Sequence, residues 1–396
     1  MADTRPTILQ IIPRLDTGGA ELSTIEITEA IVRAGGRALV ATEGGRMANR
    51  IGEVGGTLIP FPAGTKNPLR ILVNARALGR LIASERVQLI HARSRAPAWS
   101  ALLAAKHAGI PFITTYHGAY AEKGRLKRLY NSVMARAEIV IANSEFTADL
   151  VRSRYATPES RIRVIHRGVD VGRFDPGRVT PMAIAAQRGQ WGIGPDTRVV
   201  LQAARLTSWK GQGVLIAAVD RLQRTGRFDN AVVVLAGDAQ GREGYAESLR
   251  ADIARMGLEG VVRLVGHVDD MATAFATAYV TVIASTEPEA FGRTATEAQA
   301  LGCPVIATDI GAPRETVLAS SAVAAEAITG WLVSPGDALG LAERLAEALA
   351  LGDSDRAAMA IRARNHVKER FTLDVMKSRT LSVYDELMNT NLARRS

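Results

Sequence analysis

VTVIASTEPEAFGRTATEAQALGCPVIA, residues 280–307, decides the fold. It opens on a short apolar run at 280–284 and passes through a polar loop. A helical stretch begins near Gly292, and Gly302-Cys303-Pro304 breaks it before a second apolar run at 304–307. Strand, helix and strand at this spacing form one βαβ unit, so the two strands are parallel. Neither strand alternates apolar with polar residues, which suits a sheet covered by helices on both faces.

The same rhythm extends in both directions. Strands are expected at 198–203, 231–236 and 262–265 in the second half. In the first half they are expected at 7–12, 38–42, 57–61, 87–91, 112–116, 138–143 and 163–165. Helical spacing separates them, as in Leu22, Ile25, Ile27 and Ile31, or Leu69, Leu72, Val73 and Leu78. Residues 174–196 carry Pro176, Gly177, Pro181, Gly189, Gly192, Gly194 and Pro195 and mark a boundary. The expected organisation is α/β, with two doubly wound domains facing one another. The first spans 1–172, a linker 173–196, and the second 197–372. A closing helix at 371–384 leads into the tail. Ligands of such folds gather at the carboxyl ends of the strands.

Composition narrows the function classes. The 396 residues are 47% hydrophobic and 22% charged, the balance of a folded water-soluble chain. The longest run without Asp, Glu, Lys or Arg, 271–286, is too short and too polar to span a bilayer. The first residues carry no signal-peptide pattern, and a cytoplasmic location is expected. One cysteine, Cys303, excludes an internal disulfide and any multi-cysteine metal site; in Leu-Gly-Cys-Pro-Val it reads as a small buried residue. The net charge of +9 is lopsided: residues 1–170 hold 24 basic and 14 acidic side chains, residues 171–396 hold 25 and 26. That asymmetry suits an anionic partner for the first half, or a generally basic soluble surface.

Four motifs carry candidate chemistry. Glu289 to Glu297 spans a strand-end loop and a helix start, where free N–H groups and the helix dipole favour an anion. Glu297, inside the helix, suits a pair of ribose hydroxyls; Glu289 suits another part of the same ligand. By spacing alone both read more readily as solvated acids at a helix start, which are common. Arg205 and Lys210 follow the strand 198–203, and an Arg fork with a Lys point charge suits a diphosphate. Asp16-Thr-Gly18-Gly19-Ala-Glu21 lets backbone approach a ligand. It is not GxGxxG. Thr115-Tyr116-His117-Gly118 ends a strand with a histidine placed for a substrate hydroxyl or for a structural bond.

In order and spacing these motifs resemble the retaining GT-B glycosyltransferases of family 4 over nearly the whole chain. Val164 to Asp170, Leu235-Ala-Gly237-Asp238, Val265-Gly266 and Gly311 to Glu315 add to the likeness. The resemblance implies two Rossmann-like domains across a cleft, with the last helix returning to the first domain. It implies an enzyme of class EC 2.4 that uses a nucleoside-diphosphate sugar as co-substrate, with no cofactor or metal. Arg205 and Lys210 would hold the diphosphate, Glu297 the ribose and Glu289 the sugar. Gly237 and Asp238 would line the donor, as would Phe291, Gly292, Arg293 and Thr294. Gly18 and Gly19 would close on the diphosphate, and His117 would stand near the reacting sugar. The acceptor would be a glycan or lipid-linked molecule, in cell-envelope polysaccharide, lipopolysaccharide or glycolipid synthesis. Ala290 stands where the family often has Pro, Arg293 where an aliphatic residue is common, and His166-Arg167 where Pro-Asn is frequent before Gly168. Arg293 leaves the donor sugar open, and His166-Arg167 bears on the inter-domain hinge. Asp353-Ser-Asp355 reads as a helix cap.

Residues 121–136 focus the basic excess: Lys123, Arg125, Lys127, Arg128 and Arg136 against Glu122, with Leu126, Leu129, Tyr130, Val133 and Met134 at helical spacing. One reading packs the apolar side on the core. The other lays it on an anionic membrane surface, at the inner face of the cytoplasmic membrane. A GT-B nucleotide-sugar epimerase and a basic nucleic-acid-binding protein are the competing functions. No binding motif and only 5% aromatic residues weigh against nucleic acid.

Overall fold

The computed structural model describes residues 5–16, 18–120, 124–320 and 322–395. The chain divides into two compact units, Met1–Gly168 with Leu373–Ser396, and Val169–Thr372.

The first unit holds a seven-stranded parallel sheet. Its strands are β1 (Thr7–Ile11), β2 (Arg37–Thr42), β3 (Thr57–Pro60), β4 (Leu89–Ala92), β5 (Phe112–Tyr116), β6 (Ile139–Ala142) and β7 (Ile162–Val164). They lie in the order β3-β2-β1-β4-β5-β6-β7. Leu9 and Ile11 of β1 enter one core with Leu39, Ile90 and Phe112. Ile8 enters another with Leu89, Ile113 and Ile139. Both faces are therefore buried, which is why the strands read as mainly apolar runs without alternation. The last helix, Leu373–Met388, covers the second of these faces through Met376, Leu381 and Tyr384.

The second unit holds β8 (Arg198–Ala203), β9 (Ala231–Ala236), β10 (Val262–Gly266), β11 (Val280–Ile283), β12 (Val305–Thr308) and β13 (Gly330–Val333). All are parallel, in the order β10-β9-β8-β11-β12-β13. In both sheets the chain steps outward from its first strand, returns, and then builds the other side. The reversal falls between β1 and β4 in one sheet and between β8 and β11 in the other. At such a point the connecting helices leave for opposite faces, and the loops above it part.

One expectation is corrected. Residues 173–196 are not a free linker. They carry the helix Pro181–Gln190, and Phe174, Trp191 and Ile193 are buried in the core of the second unit. Pro181 is unobjectionable there because it occupies the first helical turn, with Thr180 accepting from the N–H of Ala183 at 3.1 Å. β13 has no counterpart among the strands expected from the sequence. Only four residues long, it starts at Gly330, where a Cβ would lie 2.2 Å from the Val305 carbonyl oxygen. Asp353 and Asp355 sit in the first turn of helix Asp353–Arg370, where they complement its dipole, while Gly352 is the cap residue. Cys303 is buried, and burial pushes its thiol up to about 11.

Trp191→Ala tests the placement of 173–196. Removing a buried indole should cost about 3–5 kcal/mol, read as an earlier denaturant midpoint. An unchanged midpoint would mean that the segment is a linker after all.

Candidate functional site

The second unit brings its predicted residues together above the β8/β11 reversal. Strand β8 ends at Ala203, and the chain then makes a short turn at Ser208–Lys210. Gly211 follows at φ +71°, and a Cβ there would lie 1.8 Å from the Ala284 carbonyl oxygen. Only glycine lets the β8 loop press so closely on the end of β11. Three bonds fix the loop. The Trp209 carbonyl accepts from the N–H of Thr286 at 2.7 Å, the Lys210 carbonyl from Gln202 Nε2 at 2.7 Å, and the Arg205 carbonyl from Gln212 Nε2 at 3.0 Å.

This close approach sets Lys210 against Glu289, and the two side chains form an ion pair. The Glu289 carboxylate also accepts from Ser285 Oγ at 2.7 Å. The Lys210 ammonium lies 4.3 Å from the centroid of the Trp209 ring, a cation–π distance. Both charged side chains are largely buried, at 17% and 12% exposure, so the pair is a fixed feature rather than a surface contact. The backbone of Glu289 is held as well: its carbonyl accepts from the N–H of Ala312 at 2.9 Å. Gly311, at φ +82°, has no room for a Cβ against the Glu289 backbone.

The remaining predicted residues divide by role. Arg205 is exposed on the same loop. Gly237 packs its backbone on Ala204, and its N–H donates to the Gly266 carbonyl at 2.7 Å. The Asp238 carbonyl accepts from Leu206 at 3.0 Å, so the pair 237–238 pins the loop that carries Arg205. Phe291 is buried in the core edge-on to Phe371, which leaves its backbone and not its ring for a ligand. Gly292, at φ +79°, caps the helix Arg293–Ala300 with open space where a Cβ would stand. Arg293 and Thr294 begin that helix, and Glu297 lies one turn on; all three are half-buried. Among the described residues no group of three or more His, Cys, Asp or Glu is placed to hold a metal ion.

A second cluster lies within the first unit, at the carboxyl ends of β1, β4 and β5. Gly18 precedes the helix Gly19–Arg33. A Cβ on Gly19 would lie 2.2 Å from the Arg167 guanidinium, whose Nη2 is 3.1 Å from His117 Nδ1. Arg93, buried, donates to the Ser23 carbonyl at 2.7 Å and to Thr115 Oγ1 at 3.2 Å. His91 lies beneath them, 2.7 Å from Thr115 Oγ1 and 2.7 Å from Tyr384 Oη. Burial, reinforced by the Arg93 and His117 charges, holds its imidazole well below the ordinary histidine range. The sequence reading missed Arg93, and took Arg167 only as a hinge departure. Nothing in their local pattern marks them, since both become neighbours of His117 only through the sheet.

Arg125, Lys127 and Arg128 are exposed on the short helix Arg125–Asn131; Lys123 lies outside the described residues. The apolar spacing splits: Leu126 and Leu129 face solvent, while Val133 and Met134 enter the core.

Comparison with known proteins gives this arrangement a family. Residues 17–173 match the model of Glycosyltransferase Family 4, and residues 183–366 match Glycosyl transferases group 1. A glycosyltransferase from Rickettsia africae ESF-5 is 32% identical, with a TM-score of 0.89 over 98% of this chain and 100% of that one. The chain belongs to glycosyltransferase family 4. The two parallel sheets are the Rossmann-like domains of its GT-B fold, and the family consists of transferases of class EC 2.4. Anabaena Alr3699/HepE, solved with UDP-glucose, is 26% identical with a TM-score of 0.81, covering 96% of this chain and 100% of that one. A D-inositol 3-phosphate glycosyltransferase of Streptomyces avermitilis is 34% identical over 66% of this chain, and the chain spans 54% of that enzyme's length. The same-named protein of Xylanimonas cellulosilytica is 28% identical over 96% of this chain and 94% of its own. None of these family-4 relatives is named as an epimerase or a nucleic-acid-binding protein.

Two predictions follow from the packing. Gly211→Ala places a Cβ against the Ala284 carbonyl at positive φ; it should cost about 1–3 kcal/mol, read as a lower unfolding midpoint. His91 is neutral in the fold and has an ordinary value of roughly 6.5 when unfolded. Below that pH the unfolded chain binds a proton that the folded chain refuses. Stability should therefore fall as pH drops below roughly 6.5, by up to about 1.4 kcal/mol per unit, down to the depressed folded value. His91→Gln should remove that increment from the pH profile of unfolding.

Proposed function

We propose that this chain transfers a glycosyl group from a nucleoside-diphosphate sugar to a hydroxyl of a glycan or lipid-linked acceptor, with retention at the anomeric carbon. The observation that carries the reading is the convergence of Lys210 and Glu289 from the loops after β8 and β11. A parallel sheet binds its ligand at this point, and a held ammonium there suits a diphosphate.

In this reading the diphosphate lies between Lys210, Arg205 and the N–H groups that open the helix Arg293–Ala300. Charge builds on the leaving diphosphate as the glycosidic bond breaks, and groups already in place stabilise it with little reorganisation. The two cations take the part a metal would otherwise play, so no metal or other cofactor is assigned. The sugar passes through an oxocarbenium-like state, as in glycoside hydrolysis. Glu297 binds the ribose. Glu289 releases part of its hold on Lys210 and accepts from a sugar hydroxyl. In the first unit, Gly18, Gly19 and His117 form a second ligand-facing cluster, with His117 oriented by Arg167. The UDP-glucose held by the Anabaena protein supports a nucleotide-sugar donor. The names of the inositol-phosphate relatives support a hydroxyl-bearing acceptor. No helix of the described residues is long and apolar enough to cross a membrane. The reading places the protein in the cytoplasm, at the inner face of the membrane where lipid-linked acceptors of envelope polysaccharide, lipopolysaccharide or glycolipid synthesis are presented, with Arg125, Lys127 and Arg128 toward it.

Thermal shift against UDP-, GDP-, ADP-, TDP- and CMP-sugars, with and without EDTA, tests the donor site. One nucleotide sugar should raise the melting temperature, equally in EDTA. Arg205→Ala lies on the surface and should leave the unliganded melting temperature in place while reducing that shift; Lys210→Ala and Glu297→Ala should reduce it further. A full shift in all three variants would remove the site assignment.

A further inference from the structure

The first unit carries an apolar surface that the donor chemistry does not use. Nine large hydrophobic side chains are exposed among the described residues, and five of them, Leu69, Leu72, Val73, Leu126 and Leu129, come from two helices. Leu69 is 74% exposed and Leu126 83% exposed, so these side chains project rather than line an edge. The helices are Pro68–Glu85 and Arg125–Asn131. They border one open groove of about 390 Å³ whose lining includes Ile71, Leu72, Trp99, Leu126, Leu129 and Tyr130.

The first helix is built to stand at the surface in this way. Asn67 caps it, accepting from the N–H groups of Leu69 and Arg70 at 3.0 and 3.3 Å, and Pro68 occupies its first position. Its inward side is Asn74, Leu78 and Ile82. Its outward side mixes Leu69, Leu72 and Val73 with exposed Arg70, Arg76 and Arg80. The second helix repeats the mixture, with Leu126 and Leu129 among exposed Arg125, Lys127 and Arg128. Between Val54 and Ser84, and again between Gly124 and Ala137, the sequence holds no Asp or Glu at all. Each of these stretches carries four Lys or Arg residues.

We infer that the outward sides of helices Pro68–Glu85 and Arg125–Asn131 form one docking surface for an anionic lipid bilayer. Protruding leucines among cations match the boundary between acyl chains and headgroups, where the aliphatic tips leave water and the cations meet lipid phosphate. A nucleic acid or an acidic peptide would answer the cations alone and leave the leucines in water. The inference deepens the membrane side of the function proposed above, which rested on Arg125–Asn131 only, by adding the longer helix as the principal anchor.

Flotation of the full chain with phosphatidylcholine vesicles, with and without phosphatidylglycerol, is the test. The wild type should float with the anionic vesicles, and less so at high salt. Leu69→Ser/Leu72→Ser/Val73→Ser should keep the wild-type melting temperature and lose at least tenfold in partitioning. Arg70→Ala and Arg76→Ala should each lose about fivefold, the factor equivalent to ~1 kcal/mol per near-surface cation. Equal binding to neutral vesicles, wild-type flotation by the triple variant, or binding to duplex DNA with none to vesicles would overturn the inference. The assay needs neither donor nor turnover. Its failure leaves the transfer reading standing, and a failed donor panel leaves the docking surface standing.

Discussion

The contact of Gly211 with the carbonyl end of β11 is the constraint on which the candidate site depends. At the reversal between β8 and β11 the loops of two adjacent strands part toward opposite faces, and side chains would normally be carried away with them. Here the missing Cβ lets one loop return across the gap, with the Ala284 oxygen where that carbon would be. The carbonyl of Trp209 is then tied to Thr286 and that of Lys210 to Gln202, so the turn cannot relax outward. The ion pair of Lys210 with Glu289 is a consequence of this backbone arrangement. Gly237 on Ala204 and Gly311 on Glu289 repeat the device on either side, so three glycine contacts draw four loops onto one spot.

The first unit solves the same topological problem with different chemistry. Its reversal lies between β1 and β4, and Gly19 follows β1 as Gly211 follows β8. What crowds Gly19 is the Arg167 side chain rather than a backbone oxygen. Beneath it Arg93, Thr115, His91 and Tyr384 form a buried chain of hydrogen bonds. Burying that many polar groups is favourable when most are satisfied, and their partners come from β4, β5, the helix Gly19–Arg33 and the last helix; of these four side chains only Arg93 leaves a buried atom, its Nε, without a partner among the described residues. The helix Leu373–Met388 is thus tied to the carboxyl ends of the strands as well as to the apolar face, through the Tyr384 hydroxyl.

Much of this was legible in the sequence where the signal is local. Mainly apolar runs located twelve of the thirteen strands, several to the residue, because a doubly covered parallel sheet buries both faces and admits only a few polar side chains such as Gln10, His91 and Thr115. β13 escaped since three apolar residues after a glycine are too few to separate from a loop. The segment 173–196 misled for the opposite reason: proline and glycine signal turns, yet Pro181 begins a helix, and Trp191 supplies the burial that composition does not display. Of the site, Lys210 and Glu289 were legible as residues but their pairing was not, because it depends on a strand order that no local pattern encodes. Arg93 and Arg167 were invisible for the same cause. Residues 121–136 show the limit of periodicity itself. Leu126 and Met134 lie about 80° apart in α-helical phase, and the tighter turn after Asn131 widens this to about 140°, so the first faces water and the second the core.

The two cations assigned to the diphosphate differ in what their use costs. Arg205 is exposed, and ordering its long side chain on a ligand means losing rotamer freedom at the moment of binding. Lys210 has already lost that freedom, and much of its hydration, to Glu289 and the Trp209 ring. A diphosphate reaching it meets an ammonium whose position and desolvation were settled when the domain folded. The carboxylate that settled them is not lost to the reaction. Held by Ser285, it is placed, in the proposed reaction, to accept from the donor sugar once the ammonium turns to phosphate. In the proposed reaction the ammonium exchanges one anion for another, while the carboxylate exchanges an ion pair for hydrogen bonds from Ser285 and a sugar hydroxyl. Neither is then left alone in the low-dielectric interior, which is the condition that makes buried charge expensive.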